Sequence, residues 1–148
     1  MAMLKALVAD EEPGVHRLLS AHLTHARLEV VSAYSAEAAL SEASDGGFDV
    51  AILDLGLAQI QDEVGNDLIR RLRMVMDEET PIIVLTRDAR IASVRGALLG
   101  GADDYVLKPV NGSAVGALCL RLISLAARKG LAARRERYVA ELERRMGS

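Results

Sequence analysis

The fold of this chain is decided by the stretch Asp49-Val50-Ala51-Ile52-Leu53-Asp54, an apolar run that ends in an acid. Such a run predicts a strand buried on both faces, as in the middle of a parallel sheet. A carboxylate at the end of a buried strand loses hydration, so it needs a cation, hydrogen bonds or a proton. Asp54 is therefore the first candidate functional residue.

Charged side chains also follow two other apolar runs. Asp10 and Glu11 follow Leu4–Ala9, and Lys108 follows Tyr105–Leu107. If these strands lie side by side in one open α/β sheet, their carboxyl ends converge beside that of Asp54. Three acids and one lysine at one place suit a divalent cation and a phosphoryl group.

Short β-like runs alternate with longer helical ones along the whole chain. The predicted strands cover residues 4–9, 28–33, 50–53, 82–85 and 105–107. Pro13 can open the first helix, and Ser35 and Asn111 are suitable N-caps for the second and the last. Five βα units in a row predict a single doubly wound domain with a five-stranded parallel sheet. Thr86, at the end of the fourth strand, falls at the same edge as the acids.

Composition excludes several classes of protein. The 148 residues suit one domain, and aromatic residues make up only 3%, so Ala, Leu, Val and Ile must fill the core. Cys119 is the single cysteine, which excludes an internal disulfide and predicts a packed core residue. No apolar run approaches about 18 residues, so we expect a cytoplasmic protein without a membrane span.

Charge is distributed unevenly between the body and the end of the chain. Residues 128–148 hold seven basic and three acidic side chains, a net charge of +4, whereas residues 1–127 hold 11 basic and 18 acidic ones, a net charge of −7. An acidic body argues against nucleic-acid binding by this domain. We predict residues 1–127 as one domain and residues 128–148 as a basic helical tail. The tail is interpreted either as a solvated extension of the last helix or as a helix for dimerisation or connection.

Four stretches, in order, carry a resemblance to a known family. They are Ala6-Leu7-Val8-Ala9-Asp10-Glu11-Glu12-Pro13, Phe48-Asp49-Val50-Ala51-Ile52-Leu53-Asp54-Leu55, Thr80-Pro81-Ile82-Ile83-Val84-Leu85-Thr86 and Gly101-Ala102-Asp103-Asp104-Tyr105-Val106-Leu107-Lys108-Pro109. Over roughly residues 4–126 the chain resembles the receiver domain of two-component response regulators. The resemblance implies a flavodoxin-like (βα)5 fold and a switch phosphorylated by a histidine kinase or phosphotransfer protein, with possible homodimerisation and no turnover chemistry of its own.

The resemblance also implies a role for each residue at the site. Asp54 resembles the phosphoacceptor, and Lys108 and Thr86 resemble the residues that contact the phosphoryl oxygens. Tyr105 resembles the aromatic residue that turns inward on activation, and Lys108-Pro109 resembles the family's cis peptide. The implied Mg²⁺ ligands are the carboxylates of Asp10, Glu11 and Asp54 and the main-chain carbonyl of Gly56.

Three departures from the family pattern stand beside these matches. Glu11 replaces the usual second aspartate, and its extra methylene should move the metal or insert a water. The loop from Asp54 to Gly65 is about three residues longer than usual, which could tune the choice of kinase or cover the site. Arg87 replaces a small residue after Thr86; we expect it to extend into solvent, pair with Asp88 or reach the phosphoryl group, and to restrict access to the site.

Other readings of the residues remain. A small phosphohydrolase with Asp54 as nucleophile would need a second acid two residues on, where Gly56 stands. A phosphorylation-independent interaction module with the same fold is the main alternative. His16, His22 and His25 are expected to be solvated helix residues and not metal ligands, because no cysteine or acid lies suitably near them.

Overall fold

The computed structural model describes residues 3–58, 67–87 and 90–146. The strands it contains are β1 (Leu4–Ala9), β2 (Leu28–Ala33), β3 (Val50–Asp54), β4 (Ile82–Thr86) and β5 (Asp104–Leu107). The helices are α1 (Pro13–His25), α2 (Ala36–Asp45), α3 (Leu55–Ala58), α4 (Asp67–Val75), α5 (Ile91–Gly100), α6 (Gly112–Ala127) and α7 (Leu131–Met146). Within these residues no helix has the length and apolar character to cross a membrane.

The five strands form one parallel sheet in the order β2-β1-β3-β4-β5. The chain moves outward from β1 to β2, and then returns to place β3 on the other side of β1. The strand order therefore reverses between β1 and β3, which is where the crevice for ligands opens in such sheets. The predicted doubly wound fold is confirmed, with each strand start and end within one residue of its predicted position.

Both faces of the sheet are covered by helices, as the continuous apolar runs predicted. Strand residues alternate between the faces, so Val8 and Ile52 pack with α1 and α6, whereas Leu7 and Leu53 pack with α2, α4 and α5. Cys119 of α6 is fully buried in the first of these clusters, which confirms its prediction as a core residue.

Helix starts follow the predicted capping residues. Pro13 occupies the first turn of α1. Ser35 accepts a hydrogen bond from the backbone N–H of Ala38 at 3.1 Å, and Asn111 accepts one from that of Ala114 at 3.2 Å. Each cap satisfies a donor that the first helical turn leaves unpaired. The peptide bond between Lys108 and Pro109, just before α6, is cis.

Gly112, the first residue of α6, lies where α1 approaches most closely. A Cβ built there would lie 2.1 Å from Cδ2 and 2.6 Å from Cγ of His22. The imidazole ring would have to move as a whole, so we expect Gly112→Ala to destabilise the fold by about 1 kcal/mol. Urea denaturation would measure the change. In a His22→Ala background the cost should disappear, and a cost that persists there would assign it to the backbone instead.

Helix α7 does not continue α6. Helix α6 ends at Ala127, Lys129 takes a left-handed conformation (φ 55°), and α7 then packs back against α5 and α6. Leu131, its first residue, is fully buried in the core cluster beneath α6. The interpretation of residues 128–148 as a solvated extension of the last helix is therefore wrong. The domain boundary after residue 127 stays a prediction.

Two acids from the body hold α7 in place. The carboxylate of Glu79 accepts hydrogen bonds from the first two backbone N–H groups of α7, those of Leu131 (3.0 Å) and Ala132 (2.6 Å). A carboxylate at a helix N-terminus also interacts favourably with the helix dipole. Asp103 accepts a hydrogen bond from Nε of Arg135 at 2.9 Å, and its main-chain carbonyl accepts one from Arg134 at 3.2 Å. The basic tail is thus partly neutralised by the acidic body.

Part of the sequence interpretation falls outside the described residues. It concerns the longer loop, of which residues 59–66 are not described, and Asp88, which was considered as a partner of Arg87. The proposed effect of that loop on kinase choice stays a prediction.

Candidate functional site

The site lies at the carboxyl edge of the sheet, at the point where the strand order reverses. Asp10 follows β1 and Asp54 ends β3, the two strands on either side of the reversal. Thr86 ends β4, and Lys108 follows β5. The sheet therefore brings together four of the five side chains that the sequence placed at strand ends, and the fifth, Glu11, is exposed.

Lys108 is the centre of the site. Its Nζ lies 2.8 Å from Oδ2 of Asp10, 3.3 Å from Oε1 of Glu12 and 3.6 Å from Oδ1 of Asp54. Its side chain is only 5% exposed, and that of Asp10 is fully buried. Since Glu12 is also paired with Arg87, the buried part of the site consists of Asp10 and Asp54, with two negative charges, facing the single positive charge of Lys108.

The protonation equilibria of the site reflect burial and charge together. Burial raises the pKa of Asp54 above its ordinary value, since desolvation outweighs the lowering by Lys108. The charge of Asp10 raises the pKa of Asp54 further, and a hydrogen bond from the backbone N–H of Gly56 lowers it. Burial lowers the pKa of Lys108, but its hydrogen bond and charge interactions with Asp10 and Asp54 outweigh this, so the net shift is upward. Lys108 is therefore a fixed positive charge beside Asp54.

Glu12 is a site residue that the sequence interpretation missed. Its Oε1 contacts both Lys108 and Nη2 of Arg87, the latter at 2.5 Å. Glu11, the predicted metal ligand, is exposed. The partners of Glu12 lie 75 and 96 residues away along the chain, so no local signal in the sequence could have indicated its place in the site.

Arg87 has a partner that the sequence did not indicate, while a pairing with Asp88 lies outside the described residues and a contact with a phosphoryl group stays a prediction. It pairs with Glu12 across the opening of the site, with 71% of its side chain exposed. The expectation that Arg87 restricts access to Asp54 is not tested by this contact and stays a prediction.

A cavity of about 300 Å³ opens directly onto Asp54. Its walls come from the ends of β3 and β4, from the segments that follow them and from the two strand-end segments that carry Glu12 and Lys108. The lining residues are Glu12, Asp54, Leu55, Gly56, Thr86, Arg87, Arg90 and Lys108. A phosphoryl group on Asp54 would therefore meet cationic side chains and the Thr86 hydroxyl within one cavity.

The structure also places the three other residues to which the sequence assigned a role at the site, namely Thr86, Gly56 and Tyr105. Thr86 is buried, and its main-chain carbonyl accepts the backbone N–H of Lys108 at 2.8 Å, which ties the two strand ends together. A Cβ at Gly56 would lie 3.1 Å from Oδ2 of Asp54, so a glycine keeps this approach to the carboxylate open. Tyr105 lies on β5 with 41% of the residue exposed, and its role as a switch stays a prediction.

His16 supports the site from behind, contrary to the expectation that it is solvated. It is only 3% exposed, and its ring packs against that of Tyr34 with centroids 4.2 Å apart. Nε2 lies 2.7 Å from the main-chain carbonyl of Asp10, and Nδ1 lies 2.8 Å from Oγ of Ser32. Since a carbonyl only accepts, Nε2 carries the proton and donates, while Nδ1 accepts from the hydroxyl of Ser32. The expectation holds for His22 and His25, which are exposed.

The donor set at this edge fits a hard divalent cation. Oδ2 of Asp10 is buried and, apart from its close approach to Lys108, has no well-aligned hydrogen bond. Carboxylate and carbonyl oxygens are the ligands that Mg²⁺ prefers. Residues 3–58, 67–87 and 90–146 contain no group of three or more His, Cys, Asp or Glu side chains already arranged as ligands. A cation would therefore draw part of its coordination from water and the main chain.

These features define a class: a doubly wound α/β domain with a carboxylate–lysine cluster at its strand reversal. Comparison with known proteins identifies the family. The sequence model of the response regulator receiver domain matches residues 6–118, and the chain belongs to that family. Members of the family act in two-component signal transduction, in which an aspartate of the receiver accepts a phosphoryl group, and they are not turnover enzymes in the ordinary sense.

Relatives with curated descriptions agree with this family. The chain is 35% identical over 107 residues to the response regulator ArlR of Staphylococcus haemolyticus, which covers 72% of this chain and 47% of that protein. It is 33% identical over 109 residues to ArlR of Staphylococcus aureus, covering 74% and 48%. The chain thus spans about half the length of the curated relatives it matches.

Solved structures show the same fold. A CheY-like receiver domain protein from Methanospirillum hungatei superposes with a TM-score of 0.77 at 21% identity, covering 86% of this chain and 99% of that one. The BeF3-activated DrrB receiver domain superposes with a TM-score of 0.71 at 28% identity, covering 82% and 98%.

Proposed function

We propose that Asp54 is the residue that accepts the phosphoryl group in this receiver domain. The observation that carries the proposal is the position of Asp54, which faces a polar cavity with the ammonium of Lys108 3.6 Å from its carboxylate. Phosphoryl transfer depends mainly on positioning and on neutralising charge on the transferred oxygens. Lys108 would compensate that charge, and the Thr86 hydroxyl would donate a hydrogen bond to a phosphoryl oxygen.

Mg²⁺ is the cofactor that we propose for this step. The residues that would hold it are Asp10, Asp54 and the main-chain carbonyl of Gly56, with Glu11 as a further ligand from the exposed side. When bound, the ion would supply positive charge to the phosphoryl oxygens. The two carboxylates of Asp10 and Asp54 against the one ammonium of Lys108 support this, because they leave negative charge for a divalent ion to compensate.

Residues of this domain would also act in the transfer and loss of the phosphoryl group and in passing the signal on to a surface. The domain would catalyse its own phosphorylation and its slow hydrolysis, receiving the phosphoryl group from a histidine kinase or phosphotransfer protein. Thr86 and Tyr105 would report phosphorylation to the face formed by α5, β5 and α6, where homodimerisation could follow. Contact with nucleic acid by this domain is not part of the proposal, and a cytoplasmic location stays a prediction.

Intact mass would test the proposal. Wild-type protein incubated with Mg²⁺ and phosphoramidate should gain one phosphoryl group, and Asp54→Ala should gain none. The gain should also disappear when EDTA replaces Mg²⁺. Equal labelling of wild type and Asp54→Ala would place the acceptor elsewhere and refute the assignment.

A phosphorylation-independent docking module is the second candidate. The observation that favours it is the Glu12–Arg87 pair, which lies across the opening of the site. The same experiment discriminates: folded protein that binds Mg²⁺ but gains no phosphoryl group, in the wild type and in Arg87→Ala alike, would support the docking module.

A further inference from the structure

Two cavities meet at the site and share part of their lining. Beside the cavity at Asp54 lies a second one of about 560 Å³, at the N-terminal end of α1 and the turn that precedes α6. The residues that line only this second cavity are mainly apolar: Gly14, Val15, Leu18, Pro109 and Val110. Glu12, Arg87 and Lys108 line both cavities, so they form the wall between them.

The outer part of this wall is held by one ion pair. Oε1 of Glu12 bonds Arg87 at 2.5 Å and Lys108 at 3.3 Å. Lys108 is almost fully buried, whereas the side chains of Arg87 and Glu12 are 71% and 45% exposed. Lys108 therefore forms a fixed inner part of the wall, and the Glu12–Arg87 pair forms a solvated outer part. Such an exposed ion pair generally contributes at most about 1 kcal/mol to stability, so it separates readily.

We propose that the Glu12–Arg87 pair is a gate that selects phosphoryl donors by the size of their leaving group. With the pair closed, the polar cavity at Asp54 admits a small donor. With the pair open, the polar cavity joins the apolar one, and a donor with a bulky ring as leaving group gains room. The inference rests on the proposed function, since it concerns access to Asp54 as phosphoacceptor.

The chemical step is the same for both kinds of donor. The P–N bond of the donor breaks, a bond forms between phosphorus and an Oδ atom of Asp54, and the departing nitrogen keeps the electron pair and takes a proton from solvent. The products are the acyl phosphate and the released nitrogen compound, either ammonia or imidazole. Two donors that share a P–N bond but differ in the size of the leaving group therefore test how much room the cavity offers, and not which type of bond is broken.

Initial rates of labelling with two such donors would test the gate. Phosphoramidate releases ammonia, and N-phosphoimidazole releases an imidazole ring. The quantity to measure, by intact mass at saturating Mg²⁺, is the phosphoimidazole rate divided by the phosphoramidate rate. In Arg87→Ala and in Glu12→Gln we expect this ratio to rise by up to about 5-fold, the equivalent of one exposed ion pair.

Matched variants separate the gate from a general charge effect. Arg90→Ala removes a cation that lines only the cavity at Asp54, so both rates should change together and the ratio should stay at the wild-type value. Arg87→Lys, which can still pair with Glu12, should keep the ratio near the wild-type value. The double variant Arg87→Ala/Glu12→Gln should raise the ratio no further than Arg87→Ala alone, because both substitutions act on the same ion pair.

The possible failures are distinguishable. If both donors label Asp54 but the ratio is the same in wild type, Arg87→Ala and Glu12→Gln, the gate is refuted while the proposed function stands. If neither donor labels the wild type or any variant, the proposed function fails and the gate fails with it.

Discussion

Replacement of Asp54 by asparagine is expected to abolish phosphorylation and, at the same time, to raise the free energy of unfolding. The first effect follows from removal of the nucleophile, since an amide oxygen cannot form the acyl phosphate. The second follows from the pKa of Asp54, which burial raises above its ordinary value. A carboxyl group whose pKa is raised in the folded state is ionised at a cost to stability, and asparagine removes that cost.

The gain in stability should depend on pH in a defined direction. Because the folded protein holds the proton of Asp54 more tightly than the unfolded chain, stability falls as the pH rises above the unfolded pKa of about 3.9. The destabilisation grows as the pH rises from the unfolded pKa to the folded one and is constant above it, so at pH 7 Asp54→Asn should be more stable than wild type. Below about pH 3.9 both states bind the proton, and the difference between the proteins should vanish.

Urea denaturation in EDTA at pH 7 and at pH 3.5 would measure this, with metal excluded so that only the protein's own charges act. Asp49→Asn is the matched control, because Asp49 stands at the other end of the same stretch and accepts a hydrogen bond from the backbone N–H of Lys5 at 2.8 Å. The amide oxygen of Asp49→Asn can still accept this hydrogen bond, so that variant should show no gain in stability. An Asp54→Asn protein less stable than wild type at pH 7 would contradict the assignment of burial as the dominant influence.

Replacement of Asp103 by alanine should cost the fold about 3–5 kcal/mol, as expected when one partner of a buried ion pair is removed. The carboxylate of Asp103 is fully buried. It accepts hydrogen bonds from Nη2 of Arg73 (2.9 Å), Nε of Arg135 (2.9 Å) and the backbone N–H of Ile82 (2.8 Å). Two guanidinium groups would lose their buried carboxylate and keep only main-chain carbonyls as partners, and one strand N–H would lose its acceptor.

The buried guanidinium of Arg73 is one source of the expected loss of stability. Burial lowers the pKa of Arg73 to about 10, while Asp103 acts in the opposite direction. Without Asp103 the guanidinium would keep the cost of burial and lose its main compensation. Helix α7, which Asp103 holds through Arg135, should then exchange its amide protons faster.

Thermal or urea denaturation would give the loss of stability, and hydrogen exchange would report on α7. Asp104→Ala is the matched control, since its carboxylate is partly exposed and lies 3.9 Å from the exposed Arg121. Its cost should stay below about 1 kcal/mol. Equal costs for the two variants would show that the ion cluster at Asp103 does not carry the stability assigned to it.

The fold could be predicted from the sequence because its determinants are local. Apolar runs such as Val50–Leu53 mark strands buried on both faces, and Ser35 and Asn111 mark helix starts through contacts three residues away. The convergence of Asp10, Asp54 and Lys108 then follows from the rule that parallel strands end at one edge.

The remaining features depend on partners that are far apart in the sequence. Arg87 and Glu12 are 75 residues apart, and Leu131 and Glu79 are 52 apart, so no local pattern indicates either contact. The burial of His16 depends on Ser32 and Tyr34 from β2 and its following segment, which a helix pattern in α1 alone does not contain. These contacts could be identified only once the strands and helices were placed.

The attachment of α7 to the body affects which fragment of the chain could fold without the rest. A fragment cut after Ala127 would lose Leu131 from the core and leave the carboxylates of Glu79 and Asp103 without the donors of α7. A hydrophobic cleft would then be open to water, and Asp103 would keep its ion pair with Arg73 but lose the one with Arg135. We therefore expect a fragment cut after Ala127 to be less stable than the longer chain, even though the match to the family model ends earlier, at residue 118.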